Sequence, residues 1–183
     1  PVALMTSFAT DAVVRAHVAE RDLGEPRFFC QTAAPRLRPD GGLFRGVDGA
    51  VSLYGPGHGD LLATIRTSGT LAELVRRGVR SVVVSNVDNL GARLDPAIIG
   101  MHVLAGTPLT VEVVAKGDDT GGAPARVDGR PQLVEAARFP PDFDQASIPF
   151  FNTNTSLIAV ESLADPVDLT WLVTEKRVED ATV

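Results

Sequence analysis

The shortages in this sequence narrow its chemistry before any motif is read. The 183 residues hold a single cysteine, Cys30, one tryptophan and one tyrosine. One cysteine excludes an internal disulfide and any cysteine-based zinc cluster, and Cys30, set in Arg27-Phe28-Phe29-Cys30, reads as a small core residue. Positive charge is scarce as well: 17 lysines and arginines against 23 carboxylates leave a net charge of -6. A phosphate backbone is met by clustered basic residues, and with no basic stripe present no nucleic-acid partner is expected. Arg36 and Arg38, flanked by Pro35 and Pro39, belong to a solvated loop. No apolar run approaches the roughly 18 residues of a membrane span, and no charged stretch leads into a shorter apolar one as a secretion signal does. The expectation is a cytoplasmic protein with no membrane partner.

What is present alternates between strand and helix patterns. Val2-Ala3-Leu4-Met5 reads as a strand that starts at once, which suggests that native chain precedes it. Thr10 or Asp11 caps a helix to about Glu20 with Val13, Val14 and Val18 on one face, and Arg27 to Gln31 is a second strand. Such β-α-β alternation is the signature of a parallel sheet with crossover helices. Residues 32 to 56, rich in proline, glycine and arginine, form a long excursion with a short hairpin. Thr70-Leu71-Ala72-Glu73 reads as a capping box for a helix that Gly78 ends. Asp95-Pro96 supplies an N-cap and a proline at the first helical position, Leu109 to Ala115 is a strand, and Val127-Asp128-Gly129-Arg130 is a hairpin turn. Trp171-Leu172-Val173 is a last strand candidate, its tryptophan a packing residue.

Ser81-Val82-Val83-Val84 organises the rest. It reads as a strand buried on both faces of a parallel sheet, and it runs straight into Ser85-Asn86-Val87-Asp88-Asn89-Leu90-Gly91. Open α/β sheets place ligands beyond the carboxyl ends of their strands. Asp88 is an anion able to hold a hard cation there, with the amides of Asn86 and Asn89 beside it. The same residues read equally as an ordinary Asx turn capping the next segment. Upstream, Gly55-Pro56-Gly57-His58-Gly59-Asp60 precedes a helical stretch, where glycines permit close approach of a ligand and the helix start offers N–H groups to an anion. His58, between two glycines, favours a ligand contact over a core role. Phe150 to Thr155 repeats the pattern of an apolar strand ending in polar residues.

Several of these stations together resemble the eukaryotic-type UTP–glucose-1-phosphate uridylyltransferases, also called UDP-glucose pyrophosphorylases. The resemblance rests on Leu4-Met5-Thr6-Ser7-Phe8, Gln31, Pro56-Gly57-His58-Gly59-Asp60, Ser68-Gly69, Val84 to Ala92, Gly121-Gly122, Leu133-Val134-Glu135 and Phe151-Asn152-Thr153-Asn154. It implies an α/β, Rossmann-like nucleotide-diphospho-sugar transferase fold (GT-A-like) with a mixed, mostly parallel sheet and flanking helices. Residues 1–183 would be the central part of a single catalytic domain, incomplete at both ends. The implied reaction is attack of a glucose 1-phosphate oxygen on the α-phosphorus of UTP, with release of pyrophosphate. Gln31 and the Gly57 backbone would read the uracil edge, Asn86 would contact the nucleoside side, and Asp88 would hold Mg2+. His58 would lie near the sugar phosphate as a catalytic contact, and Gly121, Gly122, Glu135 and Asn154 would face the hexose. The other readings are a UDP-N-acetylhexosamine pyrophosphorylase and a non-catalytic sugar-nucleotide-binding relative.

This chain departs from the family pattern in places. The family's glycine-rich triphosphate loop lies upstream of these residues and a lysine lies downstream, so residues 1–183 alone are expected not to turn over. Thr6 and Ala9 stand where asparagine is usual, Cys30 where it is common, and Thr155 replaces the last asparagine of an Asn-Thr-Asn-Asn motif. The turn between Lys116 and Gly121 is shorter than usual.

Overall fold

The computed structural model describes residues 1–117, 121–178 and 181–183. They fall into two units, Pro1–Gly78 with Leu163–Val183, and Val79–Ser162.

In the first unit, strand β1 (Ala3–Thr6) leads through helix α1 (Asp11–Glu20) to strand β2 (Arg27–Cys30), which pairs parallel with β1 from Ala3↔Arg27 to Thr6↔Cys30. Here the expected β-α-β unit is observed. Asp11, in the first turn of α1, accepts a hydrogen bond from the Thr6 hydroxyl at 2.6 Å and pairs with Arg15 one turn on, which locks the strand end to the helix start. Only Val18 of α1 is buried; Val13 is 70% exposed, because an offset of five residues puts it well off the face of Val18. On β2 the period of two sends Phe29 inward and Cys30 outward, so Cys30 is exposed and not a core residue.

The excursion after β2 is an ordered antiparallel arm: β3 (Ala34–Pro35) pairs with β4 (Leu53–Tyr54), and Leu37↔Leu43 and Arg45↔Val51 bridge beyond it. Arg36 is structural in that arm. Its guanidinium donates to Ser52 Oγ and to the Leu53 carbonyl, and lies over the Tyr54 ring. A 3₁₀ turn at His58–Asp60 then opens α2 (Leu61–Thr67), followed by α3 (Thr70–Arg76). The capping box at Thr70 does not form. Gly69, in the left-handed conformation, is the N-cap; Thr70 is fully buried and donates its N–H to the Ser68 hydroxyl instead. The returning chain is held against α2, where Arg66 donates to the Asp165 carbonyl at 2.8 Å and Leu163 is 2% exposed. Residues 171–173 form no strand, and Trp171 is 75% exposed. The unit ends in a short antiparallel pair, β10 (Arg177–Val178) with β11 (Ala181–Thr182).

The second unit corrects the expectation of a mostly parallel sheet. Strand β5 (Ser81–Val84), α4 (Pro96–Ala105), β6 (Leu109–Ala115), β7 (Ala123–Val127), β8 (Arg130–Val134) and β9 (Phe150–Ala159) follow in chain order. The sheet order is β5-β9-β6 with β9 antiparallel to both neighbours, and β7 and β8 form a separate antiparallel hairpin. Among the described residues, only β1 and β2 pair in parallel. The valines of β5 lie on the edge of this sheet with Val83 36% exposed, not buried on both faces. A run of β-branched residues specifies a strand, but says nothing of its neighbour's direction. That neighbour is β9, which comes from far downstream.

Local signals in this unit hold. Asp95 caps α4 by accepting from the Ala97 N–H at 2.8 Å, with Pro96 at the first position. His102 on α4 is 2% exposed and its Nδ1 lies 2.8 Å from the Thr110 hydroxyl on β6. Asp128 and Gly129, both at positive φ, make the two-residue hairpin turn. The polar stretch of β9 is the surprise: Asn152 to Thr155 does not follow a strand but interrupts one. Val111 of β6 pairs with Ser156 and Val113 with Asn152, so β9 bulges between them, with Asn154 at φ +59°. The expected turn over residues 116–122 includes residues 118–120, which lie outside the described residues.

Candidate functional site

The residues singled out from sequence divide between the two units. Gln31, Gly57 and His58 belong to the first, and Asn86, Asp88, Gly121, Gly122, Glu135 and Asn154 to the second.

In the first unit the β2 ladder carries Gln31 out of the sheet, its N–H donating to the Thr6 carbonyl at 2.8 Å. Gln31 and Gly57 meet. The Gln31 Oε1 accepts the Gly57 N–H at 3.0 Å. Two glycines make this contact possible: a Cβ on Gly55 would come within 2.7 Å of that same oxygen, and Gly57 sits at φ +93°, ψ -157°, a region side-chain-bearing residues avoid. Asp60 completes the frame from the far side of the loop. Its carboxylate accepts both the N–H and the hydroxyl of Thr32, at 2.6 and 3.1 Å, so the residue after Gln31 and the turn after Gly57 are tied together. Sequence reading quoted Asp60 but gave it no role; its place at the start of a helix after a glycine-rich turn was the available signal. His58 begins that turn, exposed, and its ring has no hydrogen-bond or ion-pair partner among the described residues. The Gln31 amide nitrogen is likewise without a partner among them.

In the second unit Asp88 tops the turn after β5. The turn is closed by the Asn89 N–H donating to the Asn86 carbonyl and the Leu90 N–H to the Asp88 carbonyl. Of the two readings of this stretch, the Asx turn is observed. Asn89 makes the Asx turn, its Oδ1 accepting the Gly91 N–H at 3.2 Å. The exposed Asp88 carboxylate makes no hydrogen bond or ion pair with the described residues.

A second group forms around Gly121 and Gly122. A Cβ on Gly121 would strike the Phe151 ring at 2.6 Å, and one on Gly122 would meet the Glu135 carboxylate at 3.4 Å, so ring and carboxylate both lie against bare backbone. The Gly122 carbonyl accepts the Asn152 N–H at 2.9 Å. Asn152 in turn orients Asn154: its Nδ2 donates to Asn154 Oδ1 at 2.9 Å and its Oδ1 accepts the Asn154 N–H at 3.2 Å. Gly121, Gly122 and Glu135 are thus brought together, with Asn154 linked to them through Asn152. Phe151 and Asn152 lay in the quoted motif without a role assigned.

Residues 1–183 in full match the family model described as UTP–glucose-1-phosphate uridylyltransferase. The chain belongs to that family. It is 33% identical over 186 residues to the UTP–glucose-1-phosphate uridylyltransferase of Saccharomyces cerevisiae, a match covering 92% of this chain and 37% of the yeast protein. Among solved structures it is similar to the UDP-glucose phosphorylase of Trypanosoma brucei, with a TM-score of 0.80 and 29% identity over 89% of this chain and 40% of the other. It is similar also to a UDP-glucose pyrophosphorylase mutant of Leishmania major solved in complex with UDP-glucose, with a TM-score of 0.74 and 28% identity over 88% of this chain and 40% of the other. The mixed α/β fold described above is therefore that of the family. The chain spans about two fifths of the length of the relatives it matches.

Proposed function

We propose that residues 1–183 supply the central part of a single nucleotidyltransferase domain, with a Rossmann-like frame, that makes UDP-glucose and pyrophosphate from UTP and glucose 1-phosphate in the cytoplasm. The family match over every residue carries this reading. Gln31 reads the base: its unpartnered amide nitrogen donates to a uracil carbonyl, and the Gly57 carbonyl accepts the ring N–H. Oε1 of Gln31 is already committed to Gly57, so the amide arrives oriented. Asn86 contacts the nucleoside side. The exposed imidazole of His58 meets the sugar phosphate, and the Gly121, Gly122, Glu135 and Asn154 group takes the hexose hydroxyls, a carboxylate and an amide being suited to them.

Magnesium is held by Asp88. Among the described residues no group of three or more ligating side chains exists, and magnesium asks for none, since it binds through one or two carboxylates plus substrate phosphates and keeps several waters. An exposed, unpaired carboxylate fits that demand, and a bound magnesium supplies neutralisation of phosphate charge. In this reading the chain's own residues act by binding the base and the hexose, and no protein nucleophile is required.

The test is turnover by the full-length parent chain with matched pairs of nucleoside triphosphate and sugar phosphate. UTP with glucose 1-phosphate should give the highest kcat/KM. A higher value for N-acetylglucosamine 1-phosphate would replace glucose with the N-acetylhexosamine reading, and binding without turnover of any pair would make this a non-catalytic relative.

A further inference from the structure

Thr155 is a buried polar residue, 4% exposed, on which both ends of the Asp88 turn close. From one end, Ser85 Oγ lies 3.3 Å from the Thr155 hydroxyl. From the other, Asn89 Nδ2 donates to the same hydroxyl at 3.0 Å, and it reaches the Thr153 carbonyl at 3.5 Å. These contacts land on the β9 bulge that carries Asn154. The bulge is itself fastened on its other side, because the Thr153 hydroxyl donates to the Glu112 carboxylate of β6 at 2.8 Å and accepts the Thr155 N–H at 3.3 Å. Asp88 is one residue from Asn89, and Asn154 is one residue from Thr155.

We infer that Asn89 and Thr155 form a clasp that sets the Asp88 turn against the Asn154 bulge, and that this clasp positions the metal-binding carboxylate relative to the hexose site. Neither residue touches substrate in this assignment; both act through their neighbours. The inference rests on the assignment of magnesium to Asp88 and of the hexose to Asn154. Three features favour a shared hydroxyl over incidental contact. The hydroxyl is buried, so its hydrogen bonds are not exchanged for water. It accepts from the Asn89 amide and lies within hydrogen-bond distance of the Ser85 hydroxyl, and a hydroxyl, which donates once and accepts twice, can serve both. The bulge places it at a break in the ladder, where β9 backbone would otherwise pair with β6. A clasp of this kind couples two sites: loosening either end moves both.

The experiment uses the full-length parent chain and reads two quantities, the Mg2+ concentration for half-maximal turnover and the KM for glucose 1-phosphate. Thr155→Val keeps the shape and deletes the hydroxyl, Asn89→Leu deletes the amide, and Thr155→Ser keeps the hydroxyl. Thr155→Val and Asn89→Leu should each raise both quantities by about tenfold, with the double variant no worse than either alone, because both remove the same link. Thr155→Ser should stay near wild type. Should Thr155→Val fail to fold, Asn89→Leu, on the half-exposed turn, gives the same readout. The clasp is overturned if the single variants lower only the melting temperature, or if their effects multiply in the double variant. Asp88→Asn run alongside separates the two ideas: an unchanged magnesium requirement in Asp88→Asn removes the metal assignment, and the clasp is then decided by the hexose KM of Thr155→Val.

Discussion

The two units hold their candidate residues in opposite ways. In the first unit the groups that frame Gln31 pair with one another: Gly57 with Gln31, Thr32 with Asp60, and Gln31 itself with the strand. In the second the Asp88 carboxylate makes no hydrogen bond or ion pair with the described residues, while Ser85 and Asn89 of the same turn are anchored on Thr155. The difference fits the roles proposed for the two sets. A uracil edge is neutral and is recognised by direction, so its reader must be held still. A hard cation and phosphates are recognised by charge, and a carboxylate already paired with arginine would have to break that pair first.

Three substitutions sharpen or break this contrast, beginning with the largest effect. Asp88→Asn keeps the turn and removes the charge, so magnesium-dependent turnover of the full-length chain should fall by several orders of magnitude with the circular dichroism spectrum unchanged, a metal clamp on phosphate oxygens contributing several kcal/mol. Near-normal turnover would make the turn only structural. In the first unit Gln31→Ala should weaken UTP by about 1–3 kcal/mol and glucose 1-phosphate hardly at all, since it leaves the Gly57 N–H without its acceptor and the base without its donor. Equal losses for both substrates, read from the two KM values, would dissolve the division of labour between the units.

The smallest effect tests the frame beneath Gln31. The Arg15 guanidinium, and after it the Thr6 hydroxyl, hold the Asp11 carboxyl below its ordinary value of 3.8. Its folded value is depressed, so the stabilisation is present above 3.8 and is lost as pH falls through the lower folded value. Asp11→Asn should therefore lower the melting temperature slightly at neutral pH and not at all in strong acid. A difference between the two proteins that persists in acid would mean that Asp11 acts by packing and not by charge.

Where local chemistry decides structure, the sequence reading held. Asp95-Pro96 starts α4 because a carboxylate accepts a free N–H and proline spares one, and Asp128-Gly129 turns the hairpin because both adopt positive φ. Gln31, Gly57, Asp88 and Glu135 were visible as site candidates through motifs whose spacing is a property of the chain alone. Two local readings failed because an adjacent residue took the role. Cys30 faces outward because Phe29 won the core position on β2, and Thr70 caps nothing because Gly69 turns first.

By itself the sequence determined most element types, the local turns and the family resemblance, and it named candidate groups for a base, a cation and a hexose. These depend on φ/ψ preferences and side-chain chemistry, which each residue carries with it. Only the tertiary structure decided that β5 pairs antiparallel with β9, that the Asn152–Thr155 cluster interrupts a strand, and that a single buried hydroxyl at Thr155 holds both ends of the Asp88 turn. Strand direction, register and shared hydrogen bonds belong to pairs of segments far apart in sequence, and a pattern read along one segment carries no record of its partner.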